Sequence, residues 1–245
     1  GYLSVCQSAD GLIHLISSRE HYAFNLKWLM TPPPPLSAPP VTVKPVVETF
    51  AGPAHFDADG WGDYHSYIGG FTGRGQYTVD SRTHHNGINR IVGKGSFEAT
   101  LAVRNIHYNP ARDRVSEGLA IWIKNDRARF LSLAVKEDHI KLEVRDAETA
   151  SPLSGAHRTS RGWTFGKEQA RYSKPPTSAT LKFIWNEDGR RMRILYGFDG
   201  TQPINELPQS KAGLYFGKPF TESTAFYILM SNGQIDIDHF EIKPI

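Results

Sequence analysis

Apolar and polar residues alternate with a period of two along most of the chain, the pattern of strands with one buried face. The stretch SFEATLAVRNI alternates over Phe97–Ile106, and IKLEVR puts Ile140, Leu142 and Val144 on one face. Further strands are predicted at Glu117–Ile123, Arg129–Val135, Thr180–Trp185, Arg191–Phe198, Ala225–Ser231 and Gln234–Lys243. Asn-Asp, Glu-Asp and Asp-Gly pairs supply turns between such strands. Arg129–Val135 and Ile140–Arg145, joined by Lys136-Glu137-Asp138-His139, are predicted to form a hairpin. No stretch has the period of a long helix. The prediction is an all-β fold with antiparallel sheets packed as a sandwich or jelly roll.

The first thirty residues form a separate pattern. Tyr2–Gln7 and Leu12–Ser17 read as strands around Ser8–Gly11, where Ser and Asp side chains can bond nearby backbone and Gly accepts positive φ. Arg19–Met30 fits a helix through Tyr22, Leu26, Leu29 and Met30, and an extended edge through Phe24 and Trp28. So short a segment cannot bury its large apolar groups alone, so it must dock on something. Thr31–Pro45 then holds seven of the sixteen prolines and favours an extended, semi-rigid spacer. The expected organisation is a segment 1–30, a linker 31–45 and a large β domain 46–245.

Composition narrows the function classes. A chain of 245 residues with 39% hydrophobic content can build a sizeable core. Its apolar runs are far shorter than the ~20 residues of a membrane-spanning helix, so no membrane span is expected. The formal charge of +3 comes without a clustered Lys/Arg stripe, so no nucleic-acid partner is expected. Cys6 is the one cysteine and reads as a small packing residue. The chain opens at Gly1 without an initiator Met, which reads as a mature or truncated product.

Ser8, Asp10 and Gly11 in SADGLIHL resemble the Asp-box, the S-x-D-x-G turn of bacterial sialidase-type β-propellers. The wider run SVCQSADGLIHLISSREHYAFNLKWL resembles the last blade of such a propeller. In that family the Asp-box is structural, so no catalytic role passes to Asp10. Residues 46–245 resemble concanavalin-like, laminin-G-like sandwiches that follow catalytic domains in polysaccharide-degrading bacteria. The likeness rests on VVETFAG, GSFEATLAVRNI, EGLAIWIKNDRARFLSLAV and GQIDIDHFEIKPI. Together the resemblances imply a concanavalin-like β-sandwich preceded by a hairpin remnant of a propeller blade. They imply an extracellular or periplasmic location, glycan as partner, and an upstream propeller carrying any catalytic machinery.

Several residues could carry glycan chemistry. Aromatic faces stack on sugar C–H surfaces, while imidazole, amide and guanidinium groups reach hydroxyls and acids. Trp61, Tyr64 and His65 crowd one glycine-rich stretch, and Trp163 stands among Arg158, Arg161, Lys167 and Arg171. That cationic surround favours acidic glycans. His21, Tyr22 and Asn25 are the candidates in the N-terminal segment. Trp122 and Trp185 read as sandwich core.

Asp57, Asp59 and Asp63 in FDADGWGDYH, with Asp236 and Asp238 near the C-terminus, could offer oxygens to a structural calcium, although Asp and Gly also form plain turns. No other cofactor is called for. Retaining hydrolysis by a laminarinase-type sandwich needs two carboxyls about 5–5.5 Å apart, displayed there on an E-x-D-x-E strand. This sequence has no such strand, so the 46–245 module reads as a non-catalytic carbohydrate-binding or domain-supporting module, with hydrolysis by carboxylates gathered in space as the enzyme alternative and a purely structural module docking on its own propeller as the other.

Overall fold

A computed structural model describes residues 3–17, 21–30, 42–52, 60–64, 68–81, 86–109, 118–124, 129–146, 157–159, 162–188, 190–211, 214–216 and 219–245. The chain divides into two compact units, Gly1–Pro39 and Pro40–Ile245.

In the first unit β1 (Leu3–Gln7), β2 (Leu12–Ser17) and β3 (His21–Asn25) form an antiparallel sheet, followed by the single helical turn α1 (Leu26–Met30). The ambiguous segment thus takes both conformations in succession. The β1–β2 turn is built by its side chains. Ser8 donates to the Asp10 carboxylate, which also accepts the Leu12 N–H at 3.2 Å, and the Ser8 N–H reaches the Leu12 carbonyl at 2.9 Å. Gly11 takes a φ of 85°, a conformation that costs glycine nothing.

The second unit runs through β4 (Val46–Glu48), β5 (Trp61–Tyr64), β6 (Ile68–Phe71), β7 (Tyr77–Ser81), β8 (Asn86–Ile91) and β9 (Phe97–Tyr108). It continues with β10 (Gly118–Lys124), β11 (Arg129–Val135), β12 (His139–Asp146), β13 (His157–Thr159), β14 (Gly162–Arg171), β15 (Ala179–Asn186) and β16 (Arg191–Phe198). It closes with β17 (Asn205–Glu206), α2 (Pro208–Lys211), β18 (Leu214–Tyr215), β19 (Ala225–Ser231) and β20 (Gly233–Pro244). One sheet has the order β13-β14-β12-β11-β10-β19-β8-β5, the other β17-β16-β15-β9-β20-β7-β6, with β18 on β16 and β4 on β20. Every strand pair in both is antiparallel.

The core fills the space between these sheets, because alternation aims one face of each at the other. Phe97, Ala99, Leu101 and Val103 of β9 and Leu181, Phe183 and Trp185 of β15 meet Leu119, Ile121 and Ile123 of β10 and Phe226, Ile228 and Met230 of β19. Phe183 and Phe226 touch edge to face at 5.3 Å. In β20 a register shift between Ile237 and His239 lets Ile237 and Phe240 both face inward despite their odd spacing. Val43 belongs to this core and its N–H bonds the Lys94 carbonyl at 3.0 Å, so the sandwich begins before Val46, inside the stretch expected to be linker.

Candidate functional site

The face of the eight-stranded sheet turned away from the core carries a group of aromatic and polar side chains. Leu119, Ile121 and Ile123 point inward, so alternation sends Trp122 and Lys124 outward. On β19 the same rule sends Tyr227 outward between Phe226 and Ile228. Register then aligns Asn89, Tyr227, Trp122, Ser132 and Glu143 across β8, β19, β10, β11 and β12. Tyr64 of β5 leans over this row, 5.6 Å from Trp122 and 5.2 Å from Tyr227, edge-on to both. Trp122 and Tyr227 stand 6.2 Å apart. Such tilted and edge-on pairs are favourable ring arrangements, and they hold the Trp122 indole against two phenols that also touch each other.

Polar groups border the trio. The Asn89 amide donates to the Gly62 and Asp63 carbonyls at 3.1 and 3.3 Å and pins the β5 edge. Glu143 accepts two bonds from Arg145, at 2.8 Å from Nε and 2.6 Å from Nη2. The Lys124 ammonium lies 5.8 Å from the Tyr227 ring centre. Ser132 and Ala134 lie deep, while Tyr64, Trp122, Lys124, Glu143, Arg145 and Tyr227 keep part of their surface in solvent. Burial raises the Tyr64 and Tyr227 phenols above their ordinary range, so both remain neutral hydroxyls at physiological pH.

The residues singled out from sequence scatter around this site. Tyr64 belongs to it. Trp61 does not: it is 5% exposed and packs in the core, 5.2 Å from Phe240 and 5.7 Å from Phe50, so neither ring face is open to a sugar. Trp122, expected in the core, takes the outward place instead. Trp163 and Arg158 are register partners on β14 and β13, at the far edge of the same sheet. His65 and Arg161 lie outside the described residues.

On β3, His21 and Tyr22 are consecutive and so point to opposite faces, while Asn25 shares the parity of His21; the three do not converge. His21 instead stacks on His14, with a nitrogen–nitrogen contact of 2.9 Å, and His14 reaches Ser8 Oγ at 3.0 Å.

The suggested calcium oxygens fare unevenly. Asp57 and Asp59 lie outside the described residues, and Asp63 is exposed on β5. Asp238, on the other sheet, accepts Gln76 Nε2 at 2.7 Å and is paired with Arg104. Asp236 accepts Thr78 Oγ1 at 2.6 Å and Asn105 Nδ2 at 2.7 Å. Protein donors thus already occupy both C-terminal carboxylates, and among the described residues no three His, Cys, Asp or Glu side chains gather as a metal site.

Trp122, Tyr227, Lys124, Asn89 and Glu143 were missed as a group. The signal lies in strand parity: GLAIWIK and AFYILMS are nearly continuous in apolar residues, yet each strand has two faces and only one is needed for the core.

The fold is that of a concanavalin-like antiparallel β-sandwich. No protein-family model matches the sequence, and no curated protein does. Among solved structures, a bifunctional GH43-CE protein from Bacteroides eggerthii is similar at 13% identity and a TM-score of 0.52, covering 99% of this chain and 35% of that one. A legume lectin-like domain from Entamoeba histolytica is similar at 8% identity and a TM-score of 0.51, covering 82% of this chain and 97% of that one. The GH43 protein BlXynB from Bacillus licheniformis (its K247S mutant) is similar at 14% identity and a TM-score of 0.49, covering 98% of this chain and 46% of that one. The chain therefore spans less than half the length of the two GH43 proteins. Among the described residues no helix is long and apolar enough to cross a membrane.

Proposed function

We propose that the sandwich is a non-catalytic carbohydrate-binding module that holds a sugar ring on the outer face of its eight-stranded sheet. The observation that carries this reading is the Tyr64–Trp122–Tyr227 trio, partly exposed on a face the core does not use. Trp122 offers the stacking surface, braced by the two phenols, and the hydroxyls of Tyr64 and Tyr227 with the bordering Asn89 amide address the sugar's own hydroxyls. The likenesses in fold to the legume lectin-like domain and to the bifunctional GH43-CE protein support a glycan partner and a glycan-degrading parent protein, which on the sequence resemblance works outside the cytoplasm. Residues 1–30, with their side-chain-built Ser8–Asp10 turn, then serve as part of a sialidase-like propeller blade in that parent.

Hydrolysis within the sandwich is the weaker reading. Glu143 is bound to Arg145 and Glu168 to Arg171, so these two outward carboxylates are each held by a guanidinium rather than aimed at a shared bond.

A glycan array probed with the full chain, with calcium and with chelator, tests the reading. Trp122→Ala should lower binding at least tenfold while leaving the circular dichroism spectrum and unfolding midpoint nearly unchanged. Binding that survives both Trp122→Ala and Tyr227→Ala would exclude this face. Loss of binding on chelation would bring the Asp57–Asp63 run back as a calcium loop.

A further inference from the structure

The charges on the proposed glycan face are not evenly compensated. Arg145 is bonded to Glu143, and Arg171 to Glu168 and Asp138. Among the described residues, no carboxylate or other acceptor meets Lys124. Its side chain is half withdrawn from water, and its ammonium stands over Tyr227 at 5.8 Å from the ring centre. A ring quadrupole attracts a cation but does not use up its donors, and an ammonium has three. Lys124 follows Trp122 by two residues, so strand alternation places both on the same face, one turn of the pleat apart. A sugar stacked on the Trp122 indole would therefore carry its equatorial substituents outward past an unneutralised cation.

We infer that the sugar bound on this face is anionic, bearing a carboxylate or a sulfate ester, and that Lys124 recognises that charge. The inference rests on the aromatic trio being the glycan site. It also moves the acid-reading role away from Arg158, which sits on β13 at the opposite edge of the sheet.

The test compares four polymers by calorimetric titration of the full chain: polygalacturonate, its fully methyl-esterified form, dextran sulfate and unmodified dextran. The first pair isolates the carboxylate and the second the sulfate. Binding to one anionic member at least tenfold tighter than to its neutral counterpart is expected, weakening as salt is raised. Lys124→Met should lower that affinity about tenfold and change neutral binding less than twofold, and Lys124→Arg should restore most of it. Lys44→Met removes the same charge from an exposed position outside the strands and should have no effect.

Equal losses in Lys124→Met and Lys44→Met would mean diffuse attraction to a basic chain and would overturn the inference. So would neutral polymers bound as tightly as charged ones. If that neutral binding disappears in Trp122→Ala, the aromatic site stands and only its acidic specificity fails. Binding of none of the four polymers sinks the inference, and a blank glycan array alongside it sinks the site as well.

Discussion

Trp61, Trp122 and Trp185 show how much a residue's neighbours decide its role. Trp185 is fully buried against Phe220 at 4.4 Å and Phe216 at 5.5 Å, so its removal leaves a cavity that the sheets cannot close. Trp185→Ala should cost about 3–5 kcal/mol of unfolding free energy in urea titration. Trp122→Ala should cost well under half of that, since part of the indole is already in water. The opposite order would mean that Trp122 is the core residue. Gly118 is as constrained without being large: its φ is 64°, and an added Cβ would lie 2.3 Å from the Val135 carbonyl and 2.7 Å from Tyr108. Gly118→Ala should therefore destabilise more than any surface substitution on β10. None of this is visible in residue type. Tryptophan in an apolar run reads as core and tryptophan among glycines as surface, and for Trp122 and Trp61 parity within the strand and the partner across the sandwich reverse that reading.

Strands, by contrast, were largely legible as elements. The eight strands predicted after the linker are all present, with ends that match or differ by at most two residues, because alternation or a short apolar run bounded by turns marks each as an extended segment. The glycine-rich strands β5, β6 and β8 and the polar β14 escaped, since Gly69, Gly70 and Gly87 break the alternation and register alone holds such segments in the sheet. The bulge in β20 was equally hidden, because two core residues three apart look like a break in the pattern.

Side-chain tethers between elements also required coordinates. Asp199 ends β16 with a φ of 51° and accepts the Thr177 N–H and hydroxyl, both at 2.9 Å, and the Ser178 N–H at 3.2 Å, fastening the entry to β15. The Thr177 N–H bond is the leading cause that holds this carboxylate below its ordinary value of 3.8. A depressed acid stabilises the fold above its unfolded-state value and loses that contribution as pH falls through the folded one. The melting-temperature gap between the protein and Asp199→Ala should thus be full at pH 7 and 5 and should narrow below about pH 3.8. A gap that stays constant down to pH 2 would show that the ionised carboxylate contributes nothing.

At the scale of the whole chain, the two units differ in kind. Every buried hydrophobic residue among those described falls between Val43 and Ile242, whereas Val5, Ile16, Tyr22, Leu26 and Met30 of the first unit are exposed, Met30 at 73%. A three-stranded sheet with no buried side chain among those described has little to offset its conformational entropy. The sandwich has two sheets and a continuous core. Residues 40–245, 206 positions from the division of the chain to its last residue, should therefore unfold in one cooperative calorimetric transition with a heat-capacity change of about 2.5–3 kcal/mol/K. A peptide of residues 1–39 should give a coil-like circular dichroism spectrum at the same temperature. Stable β structure in that peptide alone would remove the physical basis for assigning it to a larger propeller, because a segment that folds unaided needs no blade to complete. A coil that gains strand signal only in the presence of a propeller lacking its last blade would supply the missing half of the apolar contact and tie the two resemblances read in the sequence to one protein.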